Sequence, residues 1–345
     1  MIASPYLLYL GHSKDEMGIK TSRGLAVFRR DDCVGEFRYD DCPFTLDLPR
    51  MDFAEAAAAG ARTLVLGIAN PGGSMGDDLV GDAVAAIEAG LDVASGLHHR
   101  LRDEPAILAA ARRHGRRLHD VRDPQPGIPV GNGKRRAGRR LLTVGTDCSV
   151  GKMYATLCLE RAMRDRGWKA DFRATGQTGI LIAGAGVPLD AVIADFISGA
   201  IEQLSPARGD DGWDLIEGQG SLFHPSFAGV STGLLHGAQP DAIVLCHDPV
   251  RPHMRGLPHY PMPDLAATLE ANLAVARLTN PEVRAVGIAI NTSKLTRDEA
   301  DRLCAETSYA LGLPCTDPYA MGVEPILDWI DECFAVSPRA ATLSR

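Results

Sequence analysis

Leu141-Leu142-Thr143-Val144-Gly145-Thr146-Asp147-Cys148-Ser149-Val150-Gly151-Lys152-Met153 reads as an apolar strand, a glycine-bounded loop and the opening of a helix. In such a turn, successive backbone N–H groups and the positive end of the helix converge on an anion, and a lysine after the last glycine reaches its outer oxygens. The short run Leu141 to Val144 suits a central parallel strand covered by helices on both faces. Two positions depart from the common pattern. Thr146 stands where the first glycine is usual, so Gly145 comes one residue early, and Met153 replaces the Ser/Thr whose hydroxyl would hold Mg²⁺. A plain strand-to-helix turn would explain the glycines but not the lysine between strand and helix. A phosphate site is therefore expected, without the magnesium chemistry of an ordinary nucleoside triphosphatase.

At 345 residues the chain exceeds one ordinary core, and two domains are the natural division. Hydrophobic residues at 45% and charged residues at 23% are those of a folded globular protein. A formal net charge of -8 argues against nucleic acid as the main partner. The eight cysteines are scattered, with neither CxxC nor the Cys/His spacing of a zinc site, and the N-terminus has no leader-like pattern. Reduced thiols, a cytoplasmic location and no bound metal are the expectations. No apolar run approaches the roughly 18 residues of a membrane span, and no internal repeat appears.

The stretch 122–140 is linker-like: proline-punctuated, then basic and glycine-rich. It divides a Rossmann-like N-terminal domain with its linker, 1–138, from a P-loop domain with a parallel sheet, 139–345. In the first, strands are expected at Tyr6 to Leu10, Gly24 to Arg29, Val34 to Tyr39, Thr63 to Ile68 and Leu91 to Ala94. Helices are expected at Phe53 to Gly60, Asp82 to Ala89 and Pro105 to His114. In the second, strands are expected at Leu141 to Val144, Ala170 to Ala174, Trp213 to Glu217, Ala242 to His247 and Ala285 to Asn291. They alternate with helices at Met153 to Arg166, Leu189 to Leu204, Asp264 to Thr279 and Arg297 to Leu311. Alternation of this kind means parallel α/β sheets.

Ligands of such sheets bind at the carboxyl ends of strands. The phosphate loop itself (Gly145, Thr146, Asp147, Cys148, Ser149, Val150, Gly151, Lys152 and Met153) is the first candidate. After the next strand come Arg173 and Gln177, the arginine suited to clamp a carboxylate with its planar fork. Glu217 ends an apolar strand ahead of Gly218-Gln219-Gly220-Ser221, a fitting place for an acid that faces a phosphate loop or serves as a base. His224, His247 and Asp248 are further proton carriers, and Arg251 and Arg255 further carboxylate ligands. Asn291 closes a strand with an amide able to read an adenine edge. In the N-terminal part, Asn70, Gly72 and Gly73 follow a strand end, while His98 and His99 read as surface. Cys148 lies at a helix N-terminus, which lowers a thiol's pKa, but a small residue chosen for fit is the preferred reading.

GTDCSVGKM resembles the phosphate loop of dethiobiotin synthetase, EGQGS at Glu217 to Ser221 is similar to that enzyme's EGAGG, and Asn291 falls at its adenine-reading position. Over nearly the whole chain, IEAGLDVASGLH (Ile87 to His98), GTDCSVGKM, RATGQTGILIAG (Arg173 to Gly184) and IEGQGSLFHPS (Ile216 to Ser226) resemble the bacterial D-glutamate N-acetyltransferase family, once of unknown function. That resemblance implies a Rossmann-like domain joined to a P-loop domain, and transfer of acetyl from acetyl-CoA to the amine of D-glutamate. It also implies a dipeptide-epimerase-like partner in D-glutamate catabolism. A homo-oligomer is expected as well. The adenine and phosphates of acetyl-CoA would reuse the nucleotide cradle, and acetyl transfer needs no Mg²⁺. Arg173, Arg251 and Arg255 would meet the acceptor's carboxylates, and Glu217, His224, His247 or Asp248 would take the proton. The alternatives are an ATP-dependent kinase or ligase for a small carboxylate, which Met153 disfavours, and a non-catalytic nucleotide-binding regulator, which the strand-end arginines and histidines disfavour.

Overall fold

Residues buried on both faces in near-continuous apolar runs build two parallel sheets, as covered sheets require. The computed structural model describes residues 2–68, 75–124, 126–209 and 211–334. Its chain forms two compact units, 1–126 with 174–191, and 127–173 with 192–345. The division expected at 138/139 thus falls inside the second unit and does not foresee the excursion of 174–191.

In the first unit, β1 (Tyr6–Gly11), α1 (Lys20–Phe28), β2 (Cys33–Arg38), α2 (Phe53–Ala58), β3 (Thr63–Leu66), α3 (Asp77–Glu88), β4 (Asp92–Ser95), α4 (Pro105–His114) and β5 (Leu118–Asp120) follow one another. The sheet order is β2-β1-β3-β4-β5, parallel throughout. Leu7, Leu64, Leu66, Ile87, Val93 and Ile107 form its core. The Rossmann-like expectation holds. The strand expected at Gly24 to Arg29 is instead helix α1: Thr21, Ser22, Leu25 and Ala26 are buried, a helical rather than alternating spacing. Helix α3 starts earlier than Asp82, with Asp77 and Asp78 in its first turn, where acids meet the helix dipole favourably. The candidates Asn70, Gly72 and Gly73 lie outside the described residues.

The second unit runs β6 (Arg139–Gly145), α5 (Lys152–Asp165) and β7 (Ala170–Arg173), then leaves for the excursion that carries α6 (Gln177–Ala183) in the first unit. It resumes with α7 (Ile197–Leu204), β8 (Trp213–Ile216), α8 (Ala228–Ala238), β9 (Ala242–His247) and the hairpin β10 (His253–Met254) and β11 (Leu257–Pro261). It closes with α9 (Leu265–Arg277), β12 (Arg284–Ile290), α10 (Arg297–Leu311), β13 (Cys315–Thr316) and α11 (Glu324–Phe334). Its six-stranded sheet is ordered β13-β12-β9-β6-β8-β7 and is parallel at every pairing. The long helix expected at Leu189 to Leu204 is two short 3₁₀ turns and then α7. The chain passes from one unit to the other at 191/192, within that span.

Candidate active site

Because β6 lies between β8 and β9, with β12 beyond β9, the exits of four strands form a row along one carboxyl edge. Neighbouring strands are about 4.8 Å apart, so Glu217, the loop after Gly145, His247 and Asn291 stand in sequence along that edge. These are four of the regions that sequence reasoning singled out.

The loop between β6 and α5 has the turn geometry of an anion cradle. Ser149 (φ 54°) and Gly151 (φ 97°) are left-handed, which aims consecutive N–H groups to one side at the start of α5. Lys152 opens α5 and is buried. Its Nζ donates to the carbonyls of Asp147 (2.7 Å) and Gly220 (2.9 Å), tying the phosphate loop to the loop after β8. Burial pushes the Lys152 pKa down, while Cys148, Cys246, Asp147 and Glu217 pull it back. An anion would relieve that burial cost, so the cradle fits a phosphate group. The fit is tight: a Cβ added at Gly145 would come 3.1 Å from Lys152 Nζ, and one at Gly218 would come 1.8 Å from the Thr143 carbonyl oxygen. Thr143 Oγ1 accepts from the Gly218 N–H and pairs with Thr156 Oγ1, whose hydroxyl bonds the Lys152 carbonyl. Val150 is buried below the loop, and Met153 occupies the second position of α5.

Asp147 is fully buried and works inside the loop. Its carboxylate accepts from the Cys148 N–H (2.6 Å), Arg251 Nη1 (2.8 Å) and the Arg255 N–H (2.6 Å). Arg251 also reaches the carbonyls of Cys148 and Ser149, each at 2.8 Å, and Asp248 Oδ2 at 3.2 Å. Arg255 Nη1 bonds Ser149 Oγ. Arg251 and Arg255 therefore brace the phosphate loop from outside, where the sequence suggested carboxylate ligands. Arg173 is likewise engaged within its own unit, with Nε and Nη2 on the buried carboxylate of Asp214 at 3.0 and 2.9 Å, alongside Arg208. Gln177 belongs to the first unit, where it opens α6 beside Gly96.

His247 ends β9, and its Nδ1 lies 3.0 Å from Thr146 Oγ1. Burial lowers its pKa, opposed by Asp248 and reinforced by Arg251. Asp248 is buried. Glu217 is buried at the exit of β8, its N–H donating to the Arg173 carbonyl. His224 is buried, with Nδ1 accepting from the Ser226 N–H at 3.1 Å. Asn291 uses Oδ1 to accept from the Ser293 N–H at 3.2 Å. Next to it, Asp317 holds the Thr292 N–H and hydroxyl, a bond pair not anticipated from sequence. Among the described residues no group of three or more His, Cys, Asp or Glu is arranged to hold a metal, and no helix is long and apolar enough to cross a membrane.

Comparison with known proteins agrees with this architecture. The P-loop domain model of the DUF1611 family, a domain of unknown function, matches residues 129–327, and that family's Rossmann-like N-terminal domain model matches 38–124. A D-glutamate N-acetyltransferase of Tritonibacter scottomollicae is 51% identical over 95% of this chain and 98% of its own length. A second, from a Pseudoalteromonas species, is 49% identical over 94% of this chain and 98% of its own. The crystal structure of a DUF1611 family protein from Anabaena variabilis superposes with a TM-score of 0.87 at 33% identity, covering 96% of this chain and all of that one. The chain belongs to the DUF1611 family, pairing a Rossmann-like domain with a P-loop domain.

Proposed function

We propose that this protein transfers the acetyl group of acetyl-CoA to the amine of D-glutamate, giving N-acetyl-D-glutamate. The observation that carries the reading is 51% identity, over 95% of the chain, to a protein of that activity. The site supports it chemically, because a phosphate cradle followed by Met153 suits a donor that has phosphates but needs no Mg²⁺.

Lys152 and the loop amides of 146–151 would hold the donor's phosphates, and Asn291 would meet its adenine. Along the sheet edge, β8 lies on the side of the phosphate loop away from β9 and β12. A donor with adenine at Asn291 and phosphates at the loop would extend its remaining arm toward Glu217 and His224. Bound there, acetyl-CoA supplies an activated thioester. Glu217, buried at the exit of β8 beside the strand that carries the phosphate loop, would take the proton released from the acceptor amine. His247, by this order, lies on the adenosine side and positions Thr146 through its Nδ1 contact. D-Glutamate is the small-molecule acceptor, and a dipeptide-epimerase-like enzyme its pathway partner.

Replacing Lys152 with Ala is expected to weaken acetyl-CoA binding by about 1.5–3 kcal/mol, the worth of a charge-assisted hydrogen bond. Calorimetry with CoA and with ATP measures it, and unchanged affinity for both would remove the loop from the mechanism. Asn291→Ala is expected to weaken acetyl-CoA by about 0.5–1.5 kcal/mol, one neutral hydrogen bond, while 4′-phosphopantetheine binds as before. Equal losses for both ligands would place Asn291 elsewhere.

The reaction itself is tested by incubating the protein with acetyl-CoA and D-glutamate in EDTA, following free thiol and identifying the product by mass spectrometry. Release of CoA and formation of N-acetyl-D-glutamate are expected without ATP. A requirement for ATP and Mg²⁺ would instead support a kinase or ligase.

A further inference from the structure

We infer that His224 is a fixed hydrogen-bond donor to the acyl carbonyl oxygen, and not the proton acceptor. This rests on the acetyltransferase reading and assigns one residue's role within it. A backbone N–H can donate only to an unprotonated ring nitrogen. The Ser226 N–H does so to His224 Nδ1 at 3.1 Å, so the ring proton resides on Nε2. His224 is 2% exposed, and its buried Nε2 has no partner among the described residues. A buried donor left unmet is costly, which marks Nε2 as awaiting an acceptor.

The loop that carries His224 is pinned to the phosphate loop at two points and to α8 at a third. Gly220 O accepts from Lys152 Nζ, Ser221 Oγ donates to Thr146 O, and Ser231 Oγ to Gln219 O. The His224 N–H itself donates to Ser221 O, and the Phe227 ring stands 4.5 Å from the imidazole. The donor is thus rigid, half-walled by an aromatic ring, and on the β8 side where the donor's acyl arm would extend. That suits a neutral carbonyl that becomes charged during reaction.

In the step, the neutral amine's lone pair forms the C–N bond while the carbonyl π pair moves onto oxygen, which His224 Nε2–H holds. Collapse restores C=O and breaks the C–S bond, and the departing thiolate becomes CoA-SH by taking up the proton that the base removes from nitrogen. The nitrogen's surplus proton leaves to a base, and His224 keeps its own throughout.

The side-chain nitrogen of Gln can stand near Nε2, whereas Asn reaches only the Nδ1 position. His224→Gln is therefore expected to retain kcat within about 10-fold of the unaltered protein, and His224→Asn to lose about 10²–10³-fold, the cost of an oxyanion donor. The KM for acetyl-CoA should move little in either. In ¹⁵N-labelled unaltered protein, Nδ1 should be unprotonated and Nε2 protonated, with the Nε2–H resonance shifting when a ketone analogue of acetyl-CoA binds. Equal inactivity of the Gln and Asn variants, or an Nε2–H resonance that ignores the analogue, overturns the donor assignment. Absence of CoA release by the unaltered protein defeats the acetyltransferase reading instead, so the two failures are separable.

Discussion

Glu217→Gln is expected to lower kcat by about 10²–10⁴-fold, the usual contribution of a positioned general base, while acetyl-CoA still binds. Glu217 follows the last residue of β8, where the sheet delivers it to the carboxyl edge one strand from the phosphate loop. It is 4% exposed, and its backbone is fixed by the Arg173 carbonyl on one side and by Gly218 against β6 on the other. A residue held that firmly has the fixed position that the proposed role of a base requires. Gln has the same shape and keeps the packing but cannot accept the proton. Thiol release at saturating concentrations of both substrates measures the effect, with calorimetry checking that the donor still binds. A kcat within a few-fold of the unaltered protein would remove Glu217 from the proton transfer.

The sheets were legible where the strands are buried on both faces. Ala242 to Cys246 is apolar without interruption and Leu141 to Val144 is broken only by the small Thr143, as suits strands covered on both faces. Helix α8 was not legible. Its glycines at 229, 233 and 237 argue against a helix by propensity, yet two of them serve packing against α7: a Cβ at Gly233 would come 2.6 Å from Ile197 Cγ2, and one at Gly237 2.5 Å from the Ser198 carbonyl oxygen. Tertiary contact overrides local preference at that point. The hairpin of β10 and β11 was hidden for a related reason. Prolines at 252, 258 and 261 disfavour strands, yet the short antiparallel ribbon forms around them, with Pro261 opposite His253 at its end and Pro258 outside the register pairs.

For the site, strand-end position carried more information than residue type. Glu217, His247 and Asn291 were placed correctly on one edge because each terminates an apolar run. The roles of the arginines were not readable in the same way. A guanidinium near a site suits a substrate carboxylate and an internal one equally well, and only three-dimensional structure says which it has. Arg173 has Asp214, and Arg251 has Asp147.

That pairing changes what Arg251→Ala should do. A substrate clamp would raise the KM for D-glutamate and leave the donor alone. A brace for the phosphate loop should raise the KM for acetyl-CoA, lower the melting temperature and leave the D-glutamate KM nearly unchanged. The geometry favours the brace: one guanidinium spans the Asp147 carboxylate and the carbonyls of Cys148 and Ser149. Asp147 is 0% exposed, so removing Arg251 leaves a buried carboxylate whose remaining hydrogen bonds, among the described residues, come from the N–H groups of Cys148 and Arg255. Breaking a buried pair from one side costs about 3–5 kcal/mol, and the loop can lower that cost only by rearranging, which spoils the alignment of its amides. Asp147→Asn combined with Arg251→Ala should then recover part of the lost stability, because the unpaired charge is gone. Thermal melts of the single and double variants, with both Michaelis constants measured in parallel, decide the question. A selective rise in the D-glutamate KM would return Arg251 to the acceptor site.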